Sequence, residues 1–534
     1  MFLQNFLKMS LSPLKTKTTI LSLIFSLLPV SQNYAFVPQT SSNSKNESVA
    51  ATKIEEAKGN MPRLRMLVSA FPKGGDLHHH LAGAIDAETM LQWAGDQNLC
   101  IDTIKLSVIP SPCDAAVNKK PAKNLERQDP ILWNKLIDVF SMRNYHFDVA
   151  TGEHSGHDHF FSSFFHFAAA LDNNFGRMIA YSRRDAAANN LLYIETMQNP
   201  KVVSTFARSV LQDAKGKNSP EDLWKVVKDR LPAAVAAAKA ETTEAEAQSR
   251  QILQCDGRQP DPACSVTMRY MVFAVRAMPP EMVFAQLALG FALAHSDPRW
   301  VGVNIVAPED GAVSMQDYDL HMQFFRFLRQ LYPDVKITLH AGELALPLVP
   351  TAGLRDHIRK AVFVAGADRI GHGIDIGSEM NPVEILYHMA ERPVPVEINL
   401  SSNDAILNIK GNQHPFALYR QYNVPVVIST DDAGVSRNDL TTEYMRAIEE
   451  QHVSYSDLKK LSRDSLEYAF LSGDSLWQKN TGESVKPVCS GIAFTAMPQG
   501  KCADFLVKND KAALQWKLEA AFIHYEEQVR EGAL

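Results

Sequence analysis

The chain has 534 residues, enough for one large domain or several ordinary ones. Its composition, 46% hydrophobic and 21% charged, is that of a globular protein rather than a disordered one. The formal net charge at pH 7 is -6, and no lysine- or arginine-rich run stands out. Nucleic acid and anionic membranes attract basic patches, so neither is an expected partner.

The first 35 residues are typical of a secretory signal peptide. Three lysines precede an apolar run at 20–30, and Ala35 offers a small residue for cleavage. The apolar run is too short to span a bilayer comfortably, although a membrane anchor or a core helix remains the alternative. We therefore expect export to the periplasm or the extracellular space, with no stable membrane insertion.

Residues 36–60 are rich in serine, asparagine, lysine and glutamate, which predicts a flexible N-terminal tail. Residues 61–534 then form one predicted domain.

The six cysteines lie in three sequence-local pairs. An even number with close spacing in an exported chain predicts disulfides. None has the CxxC spacing of a zinc or redox motif, and six free thiols are the alternative. The expected pairs are Cys100 with Cys113, Cys255 with Cys264, and Cys489 with Cys502.

Eight short β-like runs follow one another along the domain, with helical segments between them. Most are continuously apolar, as strands buried on both faces are. They are Asp76–Leu81, Asn190–Met197, Val266–Ala277, Trp300–Ala307, Val335–Glu343, Asp368–Ile376, Val394–Ser402 and Val424–Asp432. Alternating strands and helices predict an α/β fold with a parallel sheet, and eight repeats favour a closed (β/α)8 TIM barrel. A doubly wound open sheet is the alternative, but no GxGxxG or Walker loop follows a strand.

Two segments extend the predicted barrel. An insertion at about 99–190 separates the first two strands, and helical sequence follows the eighth strand. An insertion at the carboxyl end of a barrel strand overhangs the usual place of an active site. Within it, His154, His157, Asp158 and His159 form a polar cluster. We interpret this cluster either as a substrate-contacting lid or as a surface loop, with a second metal site less favoured.

The segment FPKGGDLHHHLAGA holds three consecutive histidines. Because side chains alternate along a strand, His78 and His80 share one face, while His79 points to the other and packs outside the barrel. An HxH pair can bind one metal ion, but alone it is a weak signal.

Polar residues at other strand ends strengthen this interpretation. His340 ends the fifth strand, with Glu343 three residues later, and His372 ends the sixth between two glycines that would let a ligand approach. Asp431 and Asp432 end the eighth strand. In a parallel barrel these strand ends meet on one face. Three histidine nitrogens and one carboxylate oxygen suit Zn²⁺.

The motifs PKGGDLHHHLAG, TLHAGE, RIGHG and STDD resemble the four signature blocks of the adenosine deaminase family, in the same order. The signal peptide and the long first insertion are similar to the secreted branch, the adenosine deaminase-related growth factors. This resemblance implies an exported enzyme with one zinc ion per chain. Its reaction would be the hydrolytic deamination of adenosine, and of deoxyadenosine, to inosine and ammonia in purine salvage.

The resemblance also implies roles for the motif residues. The zinc ligands would be His78, His80, His340 and Asp431. Glu343 would be the general acid that protonates a purine ring nitrogen. His372 would position the attacking hydroxide and stabilise charge, and Asp432 would bond another ring nitrogen. Asp431 would thus act in both metal binding and catalysis.

The substrate contacts depart from the family pattern. Ala82 stands where the family often has a ribose-contacting aspartate, and Ala307 lies near a glycine whose backbone meets the base. His80, Glu195 and His159 are further candidate contacts, although Glu195 could equally be a structural carboxylate. The substrate could be adenosine, deoxyadenosine, a 5′-modified nucleoside or free adenine.

Two other functions compete with this one. One is a different amidohydrolase that cleaves an amide or an ester. The other is a growth-factor-like signalling protein that binds a purine nucleoside without catalysis. In every case the expected ligand is a small molecule, and a homodimer is compatible with the sequence.

Overall fold

The computed structural model describes residues 41–145, 155–479 and 481–534. The predicted signal peptide and His154 lie outside these residues. The strands in chain order are β1 Gly74–His80, β2 Cys100–Asp102, β3 Ser107–Ile109, β4 Lys119–Pro121, β5 Leu191–Met197, β6 Thr267–Val275, β7 Trp300–Val306, β8 Lys336–Ala341, β9 Arg369–His372, β10 Val396–Ile398 and β11 Val426–Ile428.

Eight parallel strands form the barrel. They pair in the order β1, β5, β6, β7, β8, β9, β10 and β11. The first and last strands meet through two backbone hydrogen bonds, from Asp431 N to His78 O (2.8 Å) and from His80 N to Asp431 O (3.2 Å). Seven of the eight runs expected from the sequence contain one of these strands in full, and the first run overlaps β1. The predicted (β/α)8 barrel is confirmed, and the open sheet is excluded.

Helices surround the barrel and fill the connections. They are α1 Ser41–Ala57, α2 Met61–Ala70, α3 Ala87–Asp96, α4 Leu125–Gln128, α5 Pro130–Phe140, α6 Gly156–Leu171, α7 Phe175–Ala188, α8 Lys201–Ala214, α9 Pro220–Val227, α10 Leu231–Ile252, α11 Pro280–Ser296, α12 Ala312–Gln316, α13 Tyr318–Leu331, α14 His357–Lys360, α15 Pro382–Glu391, α16 Leu400–Leu407, α17 Phe416–Gln421, α18 Ala433–Ser436, α19 Leu440–Glu450, α20 Tyr455–Glu467, α21 Gly500–Lys508 and α22 Asp510–Glu531.

Helix α11 illustrates why the barrel's outer layer forms. Residues 282–293 are all buried, because the helix packs against β6 and β7 on one side and against α8 and α13 on others. A helix that is apolar all round is stable only when it is covered in this way. The main core therefore lies between the strands and the surrounding helices.

The N-terminal segment corrects one prediction. A flexible tail was expected over residues 36–60, but residues 41–57 form helix α1. Ala50, Ile54 and Ala57 are buried along one stripe, and the helix packs on the C-terminal helix α22. Arg530 of α22 also donates a hydrogen bond to the Asn46 side chain (3.2 Å). The composition does not predict this helix, because its apolar residues are buried against helix α22, which lies nearly 500 positions later in the chain.

The insertion contains the small antiparallel sheet β2–β4 and helices α4 to α7. The predicted C-terminal helical extension corresponds to α19–α22.

All three predicted disulfides are present, and they are typical of proteins in an oxidising, exported environment. Among the helices of the described residues, none has both the length and the apolar character needed to cross a membrane.

Candidate metal centre and active-site cavity

Four side chains from three parts of the barrel converge at the carboxyl ends of its strands. They are His78 and His80 from β1, His340 from β8, and Asp431 just after β11. The Nε2 atom of His340 lies 3.1 Å from that of His78 and 3.2 Å from that of His80. Asp431 Oδ1 lies 3.2 Å from His80 Nε2 and 3.6 Å from His78 Nε2. The four residues predicted as metal ligands thus form one cluster.

The four donor atoms are spaced as the ligands of one zinc ion are. Two ligand atoms about 2.0–2.1 Å from zinc and separated by roughly a tetrahedral angle stand about 3.3 Å apart, close to the distances found here. The Nδ1 atoms of His78 and His340 face acceptors, namely Glu397 Oε2 (2.6 Å) and Asn304 Oδ1 (3.0 Å). Each Nδ1 therefore carries the proton, and the two Nε2 lone pairs face each other. Such a contact is favourable only when a metal ion or a proton lies between the nitrogens.

A buried charge network orients His78. Arg369 donates hydrogen bonds to Glu397 Oε1 (2.5 Å) and Glu195 Oε2 (2.6 Å), and Thr338 donates to Glu397 Oε1 (2.8 Å). Burial alone would raise the pKa of Glu397, but the charge of Arg369 and the contact with His78 lower it to about 2. Glu397 is therefore an ionised carboxylate that holds the imidazole N–H.

A cavity of about 380 Å³ opens above these ligands. Its floor is polar and includes His80, His340, Glu343, His372, Asp431 and Asp432. One wall comes from the insertion, because helix α6 contributes four phenylalanines: Phe160, Phe161, Phe164 and Phe165. The volume is within the range of small-molecule sites. The expectation that the insertion overhangs the site is confirmed.

Glu343 lies on the cavity floor beside His372, with 3.5 Å between Glu343 Oε1 and His372 Nδ1. Burial raises the pKa of Glu343 well above its usual value, and the charges of Asp431 and Glu309 raise it further. Its Oε1 atom has no hydrogen-bond partner among the described residues. A buried carboxylic acid of this kind can donate a proton at neutral pH.

His372 is held by amide groups. Its Nδ1 atom lies 3.0 Å from Asn403 Nδ2 and 3.3 Å from Asn399 Nδ2, and its Nε2 atom lies 3.9 Å from Asp431 Oδ2. Burial lowers the pKa of His372 to about 3, so the imidazole is neutral near pH 7. A neutral ring that accepts from an amide at Nδ1 carries its proton on Nε2, which faces the metal-ligand side.

The glycines beside His372 were expected to let a ligand approach, but the structure gives another reason for them. A Cβ on Gly371 would stand 2.6 Å from the His78 ring, and one on Gly373 would stand 2.5 Å from the Tyr419 hydroxyl. These glycines make room for neighbouring side chains of the protein, not for a ligand.

The backbone of the site is strained at three positions. Ala307, His372 and Asp431 all have positive φ values (86°, 68° and 62°), which side-chain-bearing residues rarely adopt. Ala307 and Asp432 line the cavity, as expected for substrate contacts. Burial raises the pKa of Asp432, and its Oδ1 atom has no hydrogen-bond partner within the described part of the chain.

Two expected substrate contacts do not line the cavity. Glu195 is fully buried inside the barrel and is paired with Arg369, while its other oxygen accepts from the Tyr193 hydroxyl (2.8 Å). His159 does not line the cavity, because its Nε2 lies 3.0 Å from the carbonyl oxygens of Asp138 and Ser141. It anchors helix α6 to the end of α5. Both residues have structural roles.

Two further histidines bond to neighbouring residues of the protein. His79 lies on the opposite face of β1 from His78, is buried, and has its Nδ1 2.8 Å from Thr196 Oγ1. His157 lies 2.9 Å from Asp310 and so connects α6 to the loop after β7.

The sequence analysis did not single out Asn304, Glu309 or Glu397. Each is a polar residue in or directly after an apolar strand run, and that signal could have identified them.

The adenosine deaminase family model matches residues 151–478, which include His340, Glu343, His372 and Asp431. An adenosine deaminase from Clostridium kluyveri is 28% identical over 190 residues, covering 35% of this chain and 51% of that protein. One from Mycolicibacterium vanbaalenii is 26% identical over 300 residues, covering 53% of this chain and 74% of that protein. The chain thus spans about half the length of several curated relatives it matches.

Two solved structures share the fold. A zinc-bound amidohydrolase from Burkhoderia ambifaria has a TM-score of 0.53 at 16% identity, covering 88% of this chain and 95% of that one. Arabidopsis ADAL complexed with IMP has a TM-score of 0.50 at 20% identity, covering 76% and 93%. Fold and site define a (β/α)8 barrel protein with a candidate metal centre at the strands' carboxyl ends. The chain belongs to the adenosine deaminase family.

Proposed function

We propose that this protein is an exported, zinc-dependent deaminase of a purine nucleoside, with adenosine as the first candidate substrate. The observation that carries the proposal is the placement of a buried carboxylic acid, Glu343, on the floor of a cavity that is also lined by three of the four converging candidate metal ligands. Membership of the adenosine deaminase family and the zinc in the Burkhoderia amidohydrolase support it. The secreted, growth-factor-like branch is part of the proposal.

When bound, zinc acts as a Lewis acid that makes water nucleophilic at neutral pH. His78, His80, His340 and Asp431 would hold it. The oxygen of water adds to the ring carbon that carries the amino group, and His372 orients that oxygen through Nε2. Glu343 transfers its proton to the neighbouring ring nitrogen as the ring loses aromaticity. The proton that water loses passes to the amino group, the C–N bond breaks, and ammonia leaves. The remaining hydroxyl becomes the carbonyl of the product, and its proton returns to the Glu343 carboxylate.

The cavity walls favour a nucleoside over a nucleotide. None of the described residues lining the cavity is lysine or arginine, so a phosphate would have no counter-charge. Asp432 and the backbone beside Ala307 would bond the base, while the phenylalanines of α6 cover it. Ala82 also lines the cavity and offers no polar group to the sugar. Deoxyadenosine, a 5′-modified nucleoside and free adenine are therefore the second candidate substrates.

The test is an ultraviolet assay on the purified mature chain, with adenosine, deoxyadenosine and adenine supplied separately and metal content measured on the same sample. The expected result is conversion of adenosine to inosine that a chelator abolishes and zinc restores. Glu343→Gln should retain zinc and lose about 10²–10⁴-fold in kcat, because it removes the proton donor alone. Turnover that survives in Glu343→Gln contradicts the assigned role.

Bound zinc without turnover of any of the three compounds would refute adenosine deamination. It would favour another amidohydrolase reaction on an amide or ester, or a nucleoside-binding signalling protein. Isothermal titration with adenosine separates these two, since only the binding protein would bind the nucleoside without converting it.

A further inference from the structure

The turn that carries the candidate metal ligand His340 and the candidate proton donor Glu343 is held in place by buried residues that lie outside the four sequence motifs. This turn runs from His340, the second-last residue of β8, to Glu343, and Gly342 within it has a φ of 76°. Arg276, which follows β6, donates hydrogen bonds through Nη2 to His340 O (2.6 Å) and Ile305 O (3.3 Å).

Glu309 holds the other end of the same turn. One oxygen of its carboxylate accepts from Gly342 N (3.0 Å), and the other accepts from Glu343 N (2.8 Å). Two consecutive N–H groups that bond to one carboxylate fix the orientation of the peptide between them. The direction of the Glu343 side chain follows from that orientation, because its Cβ is attached to the fixed backbone.

Glu309 is itself immobilised. His357 Nδ1 lies 2.6 Å from Glu309 Oε1, and the His357 ring stacks on Tyr318 at 3.6 Å between centroids. Glu309, Arg276 and His357 are exposed by 3% or less. Burial alone would raise the pKa of Glu309, but His357 and Arg276 outweigh it and keep the carboxylate ionised.

We propose that Glu309, held by His357 and acting with Arg276, is a positioning residue that sets the location of Glu343 relative to His340. This inference rests on the proposed function, since it concerns the reaction at that site. Gln cannot replace Glu309, because its amide offers one acceptor oxygen where two N–H groups need acceptors. The NH₂ group of the glutamine would face the second backbone N–H, and two donors cannot bond to each other.

The experiment compares Glu309→Gln with a matched control, Asp368→Asn. Asp368 accepts a hydrogen bond from Ile337 N (2.9 Å) at the opposite end of β8, so its loss perturbs the same strand away from the cavity. Glu309→Gln should lower kcat by about 10–100-fold with KM changed by less than about threefold, because a small misplacement impairs proton transfer more than binding. Zinc content should stay at one ion per chain. Asp368→Asn should keep the wild-type kcat.

Hydrogen–deuterium exchange provides a readout that needs no turnover. In zinc-loaded Glu309→Gln, the amides of Gly342 and Glu343 should exchange at least about 10-fold faster than in the wild type. In Asp368→Asn they should exchange at the wild-type rate. If Glu309→Gln does not fold, His357→Asn leaves the carboxylate in place and should produce the same changes at smaller size.

Wild-type kcat and wild-type amide protection in a folded Glu309→Gln would overturn the inference. So would equal losses of kcat in Glu309→Gln and Asp368→Asn, because they would indicate a general loss of structure. If the zinc-loaded wild type converts no nucleoside, the proposed function fails. The exchange rates then decide by themselves whether Glu309 holds this turn.

Discussion

Replacing Glu397 by glutamine should weaken zinc binding although Glu397 is not a ligand. Glu397 accepts the Nδ1 proton of His78 at 2.6 Å and is fully buried. As long as it is an ionised acceptor, the His78 Nε2 lone pair is available to the metal. A glutamine can turn its NH₂ group towards Nδ1, which would shift the proton to Nε2 and remove one ligand.

The magnitude follows from the contacts of this carboxylate. Loss of a partner that orients a metal-bound histidine lowers metal affinity by about 10–100-fold, or about 1.4–2.7 kcal/mol. The metal-free protein should also become less stable, by about 3 kcal/mol, because the buried Arg369 loses one of its two carboxylates. The retained pair with Glu195 keeps this value at the lower end of the range for broken buried ion pairs.

The assay is a competition titration of zinc between the protein and a chromophoric chelator, with urea unfolding of the metal-free protein measured in parallel. Glu195→Gln is the matched control, since it removes the other carboxylate of Arg369 and leaves His78 untouched. It should lower the free energy of unfolding without changing zinc affinity. Wild-type zinc affinity in Glu397→Gln, or an equal loss in Glu195→Gln, would refute this account of how His78 is oriented.

Three further outcomes are expected. His79→Ala should leave the zinc content at one per chain by elemental analysis, because His79 bonds Thr196 on the far face of β1; loss of zinc would contradict the strand alternation. Gly83→Ala should raise KM for the nucleoside in steady-state assays, since the added Cβ would stand 1.6 Å from Asp432 Oδ1 and displace it. Burial alone would lower the pKa of His157, but Asp310 and Asp158 raise it. The link from α6 to Asp310 is therefore strongest with His157 protonated and weakens as pH rises through that pKa. Because α6 forms a wall of the cavity, His157→Ala should raise the KM for the nucleoside at low pH and should flatten the dependence of KM on pH. An unchanged profile of KM against pH would exclude the link between His157 and Asp310.

The candidate metal ligands were predictable because each lies at or near the carboxyl end of a β-strand. Strand periodicity separates His78 and His80 from His79, and the parallel barrel brings the ends of β1, β8 and β11 to one face. The disulfides were predictable for a related reason, since each joins cysteines close in the sequence.

Glu195 and His159 were counted among the candidate substrate contacts because position alone does not reveal a partner. Glu195 lies on β5, yet its oxygens are bonded to Tyr193 on the same strand and to Arg369 on β9. His159 lies in the expected lid helix, but its ring faces the end of α5 instead of the cavity. The direction of a side chain on a helix depends on how that helix packs, which the local sequence does not specify.

The sequence by itself determined the barrel, the residues that cluster as candidate metal ligands and the cysteine pairing, and its resemblance to the adenosine deaminase family supplied Glu343 as the candidate proton donor. All of these rest on local periodicity or on short motifs. Only the tertiary structure decided which groups hold those residues in place, as Glu397 holds His78 and Glu309 holds Glu343. The physical reason is that a buried polar group is stabilised by any partner that folding brings within hydrogen-bond distance, however distant that partner is in the chain.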